Sequence, residues 1–268
     1  MNAATLAAPL RFEGVGLHTG AAVRMEIRPA QPGNGIGFLT AGERIPATAE
    51  YAAESQLATV IGIEGTTIST VEHVLSALLA CGVSDAEIAL DGPEVPILDG
   101  SAKPYADAID RVGLQSWSVE RPTFAPREAL EFRDGDRAVI VLPADAFRVR
   151  FVGDYPPPIG THYCDAAVTP RRYREEIAPA RTFAFLRDVE AMRAQGLARG
   201  GSLENALVYD EEGPMQPLQW PNEVARHKVL DLIGDLALLG AWPQCEVIAI
   251  KSGHAMHARV VNELRDRG

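Results

Sequence analysis

The 268-residue chain has only three cysteines, Cys81, Cys164 and Cys245, with no C-x-x-C pair among them. An odd, scattered set does not make a disulfide scaffold and suits unpaired thiols in a reducing compartment. Positive charge is also scarce. Lys and Arg number 25 against 36 Asp and Glu, and the formal net charge of -11 argues against nucleic-acid binding through the overall field, which needs clustered cations. Attraction to a membrane surface is disfavoured for the same reason, whereas a locally basic cleft for a phosphorylated small molecule is not. No stretch approaches the ~18 uninterrupted apolar residues of a membrane span. The opening MNAATLAAPLRFEG has neither a basic n-region nor a long apolar h-region. Together these features lead to the expectation of a cytoplasmic protein with no nucleic-acid partner and no transmembrane segment; a monomer is also expected, though no feature of the sequence sets the oligomeric state.

What is present is ordinary globular composition, 47% hydrophobic and 23% charged, in a chain long enough for one large domain or two ordinary ones. Residues 22–39 alternate as a strand, a Pro/Gly turn and a second strand, and 68–82 follows as a helix. AEIALDGPEVPILDG reads as two strands around a turn at Asp91-Gly92-Pro93, and 102–114 as an amphipathic helix. Residues 115–128, QSWSVERPTFAPRE, hold two prolines and no periodicity, and mark a linker at about 119–125 between domains 1–118 and 126–268. The second half starts again with strands, including an Asp134-Gly135 hairpin. Helices are expected over 186–195 and from about 222 to 240, then a buried strand CEVIAIKSG and a closing helix. Strands first and helices later, in both halves, predict an α+β fold of two similar domains, each a sheet layered with helices.

Two helices carry polar residues that composition does not explain. In ISTVEHVLSALLACG (68–82), Val71, Val74, Leu75, Leu78 and Leu79 form one apolar stripe, and His73 falls nearly opposite, beside Ser76, Ala77 and Ala80. A face of Ala and Ser suits another packed layer better than water. In PNEVARHKVLDLIGDLALLG, His227, Asp231 and Asp235 share one side while the aliphatic residues occupy the other. His and Asp at i, i+4 can grip one metal ion, and a catalytic zinc takes a third protein ligand plus water. Bland readings exist for each: a solvated helix face with Asp231 paired to Lys228, a capping box from Ser69 to Glu72, a packed His73, and His254 at a strand end.

The motifs GVGLHTG (14–20), STVEH (69–73), EVPILDGSA (94–102), ARTFAFLRD (180–188), GGSLENA (200–206), HKVLDLIGDL (227–236) and IKSGHA (250–255) occur in this order. The series resembles that of the UDP-3-O-acyl-N-acetylglucosamine deacetylases, zinc amidohydrolases that commit the pathway to lipid A. It spans nearly the whole chain, which makes it far more specific than any one motif.

The resemblance implies two domains packed helix layer to helix layer with the active site at their junction, and a UDP-linked acylated amino sugar as substrate. By the same likeness His73, His227 and Asp231 would hold Zn2+, a donor set that also suits Fe2+. Glu72 would be the general base, and His254 the cation that stabilises the oxyanion and protonates the leaving amine. Asp235 would hold the His254 ring, and Thr182 would offer a hydroxyl to the oxyanion. Lys228 and Lys251 would face the diphosphate, Tyr155 the uracil and Phe183 the sugar. Leu17, Val189, Ala198 and Leu203 would line an apolar passage for the 3-O-acyl chain, with His18 at its mouth. Ala58-Thr59 departs from a Cys-Thr pair common in the family, and 154–179 matches poorly, which leaves acyl length unread. A hydrolase of another amide or ester would share the ligand set. A noncatalytic sugar-nucleotide or lipid-binding homologue would have no need of a base and an acid.

Overall fold

The computed structural model describes residues 1–267 apart from 54 and 56. Period-two burial builds its first sheet from β1 (Leu10–Val15), β2 (Ala22–Pro29), β3 (Ile36–Thr40), β4 (Glu43–Pro46) and β5 (Ala86–Leu90). In β2, for example, Val23, Met25 and Ile27 are buried while Arg24 faces water. The strand order is β1-β2-β5-β3-β4, with β5 antiparallel to β2 and parallel to β3.

The second sheet comprises β6 (Leu130–Asp134), β7 (Arg137–Pro143), β8 (Arg148–Asp154), β9 (Thr161–Ala167) and β10 (Cys245–Ile250). Its order is β6-β7-β10-β8-β9, with β10 antiparallel to β7 and parallel to β8. Both halves therefore weave five strands in the same order with the same single parallel pair. No sequence repeat announces this.

Helices α1 (Glu72–Cys81), α2 (Lys103–Val112), α3 (Leu186–Ala194), α4 (Glu223–Leu236) and α5 (His254–Arg265) complete the α+β architecture. α1 precedes the central strand β5, and α4 precedes β10. These two helices pack against each other. All ten residues of α1 are buried, because its apolar stripe meets its own sheet and its Ala/Ser face meets the other half. There the Tyr173 hydroxyl donates to Ser76 Oγ at 2.9 Å. One apolar core runs through both sheets and the helices between them.

Three expectations need correction. The Ser69–Glu72 capping box does not form: Val71 is the residue before α1, and Glu72 Oε2 instead accepts the Thr59 amide at 2.9 Å. Of the two strands expected around Asp91-Gly92-Pro93, only the first forms. Residues 94–97 make isolated bridges to Ser69 and Gly16, because here the backbone bonds two different partners in turn. The aperiodic stretch after α2 also has structure. Leu114–Glu120 pairs with Asn2–Leu6, and Thr123–Phe124 runs parallel to Trp242–Pro243. Pairing to remote strands leaves little local periodicity to read.

Candidate active site

Gly234 lets the two central helices meet. A Cβ there would lie 2.1 Å from the backbone oxygen of Glu72, so no larger residue fits this crossing without displacement. The close approach brings the first turn of α1 beside one face of α4. His73, His227, Asp231, Asp235, Glu72 and His254 are all buried, none more than 6% exposed.

Asp231 Oδ1 stands 3.3 Å from His227 Nε2 and 3.7 Å from His73 Nε2, and the two rings are edge to face with centroids 5.1 Å apart. His227 Nδ1 is 3.0 Å from the Ala180 carbonyl, to which it can only donate, so Nε2 carries the lone pair. Burial pushes the His73 imidazole down to about 3, with His227 adding to the effect. His227 is also lowered, chiefly by burial. Burial would raise Asp231, but His227, Lys228 and His254 outweigh it and hold the carboxyl well below its usual range. Asp231 Oδ1 has no hydrogen-bond partner despite being buried. Two neutral imidazoles and a carboxylate thus face one point; the Ala180 bond leaves His227 Nε2 as an acceptor, and His73 can offer its Nε2 lone pair as the Nδ1–H tautomer, since no partner holds its Nδ1. Such a set fits a divalent cation.

The second cluster adjoins the first. His254 Nε2 lies 3.8 Å from Glu72 Oε1 and 3.7 Å from Asp231 Oδ2. His254 Nδ1 donates to Asp235 Oδ2 at 2.9 Å, with Thr59 Oγ1 at 3.0 Å. The Thr59 hydroxyl also bonds Asp235 Oδ1. Burial disfavours the His254 imidazolium, but Asp235 and Glu72 more than offset it and lift the ring to about 9. Burial raises Glu72 to about 7 against the pull of His254. Burial likewise opposes ionised Asp235, yet His254 and His257 hold that carboxyl far below its usual range. The site therefore holds a carboxylate that can take a proton near neutrality and an imidazolium that can give one.

A cavity of about 540 Å³ opens beside these groups. Its walls include Leu17, His18, Tyr155, Thr182, Phe183, Val189, Ala198, Leu203 and Lys228, so most of the substrate-facing residues expected from sequence share one space. Leu57, Leu186, Leu203 and Met215 line it while 45–52% exposed, an apolar rim that soluble proteins rarely leave open without use. Thr182 is fixed by its backbone: its amide donates to Gly100 and its carbonyl accepts from Leu207. Glu223, fully buried, anchors the preceding residue by accepting Arg181 Nε at 2.9 Å.

The lysines differ. Lys228 Nζ donates to Asp231 Oδ2 at 2.8 Å and lies 5.7 Å from the Phe183 ring centroid, so the i, i+3 pairing coexists with a buried cluster. Lys251 does not line the cavity; its ammonium sits between Asp136 and Asp154, 3.0 Å from each. Sequence reasoning also missed several groups. Thr59, which the sequence marks only as part of the Ala58-Thr59 departure, links Glu72, Asp235 and His254. His257 Nδ1 donates to Asp235 Oδ2 at 2.6 Å, and its Nε2 is 2.8 Å from Ser252 Oγ. The H-x-x-H spacing of His254 and His257 on one helix face was the available signal.

Residues 3–266 match the family described as UDP-3-O-acyl N-acetylglycosamine deacetylase. Among similar proteins, one named UDP-3-O-acyl-N-acetylglucosamine deacetylase from Syntrophotalea carbinolica is 43% identical, covering 97% of this chain and 86% of its own length. Proteins of the same name from Myxococcus xanthus and Phenylobacterium zucineum are 42% and 41% identical over 98% of this chain, covering 86% and 93% of their own lengths.

Proposed function

The chain belongs to the family of UDP-3-O-acyl N-acetylglycosamine deacetylases, and from that premise we propose that its buried clusters hydrolyse the N-acetyl amide of a UDP-linked, 3-O-acylated glucosamine as the committed step of lipid A biosynthesis, releasing acetate. The observation that carries this reading is the convergence of His73, His227 and Asp231 on one point, with Glu72 and His254 immediately alongside.

Those three residues would hold Zn2+, with Fe2+ compatible with the same donors. When bound, the cation lowers the pKa of a coordinated water toward ~7 and polarises the amide carbonyl. Glu72 accepts the proton of the attacking water. His254, charged through its bond to Asp235, donates to the departing amine, which leaves poorly unless protonated. Asp235 and Thr59 orient that ring. Thr182, on the cavity wall, would offer its hydroxyl to the developing oxyanion.

The apolar cavity suits the 3-O-acyl chain, through Leu17, Val189, Ala198 and Leu203, with His18 beside its entrance and Phe183 toward the sugar. Lys228 and Tyr155 lie in the same space and would serve the nucleotide end. Lys251, engaged by two aspartates, would reach diphosphate only by exchanging those partners. We divide the chain into domains 1–118 and 126–268 and read it as a cytoplasmic monomer. No helix among the described residues is long and apolar enough to cross a membrane.

The decisive experiment quantifies bound metal and acetate release from UDP-3-O-(3-hydroxyacyl)-N-acetylglucosamine. Release from the UDP-linked substrate, with little from its nucleotide-free analogue, supports the reading. Equal turnover of both would point to a hydrolase of broader amides.

A further inference from the structure

Glu94 is 1% exposed, yet none of its bonds is to a cation. Its carboxylate accepts four hydrogen bonds, two at each oxygen. Oε1 takes the His18 amide at 2.9 Å and the Thr70 hydroxyl at 2.8 Å. Oε2 takes the Thr19 amide at 2.8 Å and the Thr19 hydroxyl at 2.6 Å. Four lone-pair directions meet four donors, so the buried charge is stabilised by hydrogen bonding to these groups.

The donors come from two separate places. Thr70 precedes α1, the helix that carries Glu72 and His73. His18 and Thr19 belong to the loop 16–20, which continues the pairing outward: the Leu17 carbonyl accepts from Gly200 at 3.0 Å and the His18 carbonyl from Arg199 at 3.1 Å. The packing leaves no slack. A Cβ at Gly16 would lie 2.3 Å from Glu94 Oε2, and one at Gly200 would lie 2.2 Å from the Gly16 carbonyl oxygen. Leu17, His18, Ala198 and Gly201 are all walls of the cavity. Glu94 is itself tied down, since the amides of Ser69 and Val95 bond Pro93 and Ser69 on either side of it.

We propose that Glu94 is a positioning residue for acyl-chain recognition, setting the loop 16–20 against residues 198–201 and so fixing one wall of the apolar cavity. This rests on reading that cavity as the acyl passage. The carboxylate touches no reacting atom; its effect reaches the substrate through Leu17, His18 and Ala198. Because the donors outnumber what a neutral amide can accept, glutamine is not an equivalent residue here. Its NH2 group would face two N–H and O–H donors at one end.

The test measures kcat and KM for substrates carrying a long (14-carbon) and a short (4-carbon) 3-O-acyl chain in wild type, Glu94→Gln and Thr19→Val, with bound metal quantified in each. Thr19→Val removes one donor and guards against loss of folding in the first variant. The expected result is a KM for the long-chain substrate raised about tenfold in Glu94→Gln and about threefold in Thr19→Val. The short-chain KM should change less than twofold, with kcat and metal content within twofold of wild type. Equal rises in KM for both chain lengths, or no change in either variant, would overturn the proposal. So would a fall in kcat together with metal loss, which would mean that Glu94 acts on α1 through Thr70. A wild-type KM independent of chain length would refute the acyl-passage reading itself, and that measurement is made before any variant.

Discussion

The α-carbon of Gly234 faces the backbone of Glu72 so closely that a methyl group would stand 2.1 Å from the Glu72 carbonyl oxygen. The two helices bearing the donors therefore touch through backbone, one turn from the proposed ligand Asp231. Gly234→Ala forces α1 and α4 apart against a fully buried layer. Overpacking of this kind costs ~1–3 kcal/mol, and this contact belongs at the upper end. The expected outcome is a lowered midpoint of denaturation together with weaker metal retention, read by chemical unfolding and metal analysis. A variant as stable as wild type would show that the helix pair can separate freely.

Glu72→Gln preserves shape and the acceptor for the Thr59 amide while removing the proton acceptor. Bound metal should stay stoichiometric while acetate release falls by about 100-fold or more, within the range of general-base contributions. Undiminished turnover would remove Glu72 from its role.

His227→Ala deletes a donor whose tautomer is set by Ala180. Metal and activity should disappear together, measured on the same dialysed sample. If the variant keeps its full complement of metal, the donor set is wrong.

The pH profile follows from the paired titration. In the proposed mechanism the working state has Glu72 ionised and His254 protonated, so activity should rise as pH passes the Glu72 value of about 7 and fall as it passes the His254 value of about 9. A bound cation favours proton loss from both groups and moves both limbs to lower pH. Initial rates across pH should give a bell, and Glu72→Gln should flatten its acidic limb. Activity climbing steadily to high pH would show that no protonated acid is required.

His257→Leu tests the support of Asp235, because leucine has no group to donate in place of Nδ1. Removing the 2.6 Å bond leaves Asp235 Oδ2 held by His254 alone. A fall in kcat of about threefold to tenfold is expected, with KM and metal content unchanged, from steady-state kinetics. A loss of metal in this variant would mean that the two clusters are not independent.

Much of this was legible in the sequence. The apolar stripes of 68–82 and 222–240 pointed to both central helices, although Ile68 and Ser69 end a strand and the first helix starts only at Glu72. The bland Ala/Ser face foretold a covered layer, which Ser76 and Tyr173 now occupy. The ordered motifs brought His73, His227, Asp231, Glu72 and His254 forward, and they do lie together. What could not be read depends on contacts remote in the chain. Glu72 looked like half of a capping box because Ser69 was near in sequence, whereas its partner is the Thr59 backbone. Lys251 was expected to face diphosphate, because its partners Asp136, in a hairpin turn, and Asp154, at the end of another strand, are remote in the chain. Glu94 lies within EVPILDGSA with no role that local sequence assigns, since its four donors come from residues 18, 19 and 70.

The donors are divided between α1 and α4, helices that occupy matching places in two sheets of identical strand order. A cation held by both, as proposed, would act as a rivet between the halves as well as a chemical reagent. Because the unfolded chain cannot assemble the three donors, occupancy adds to folding stability by mass action. The melting temperature of this enzyme should therefore track free metal concentration, coupling its persistence in a metal-poor environment to its capacity to work there.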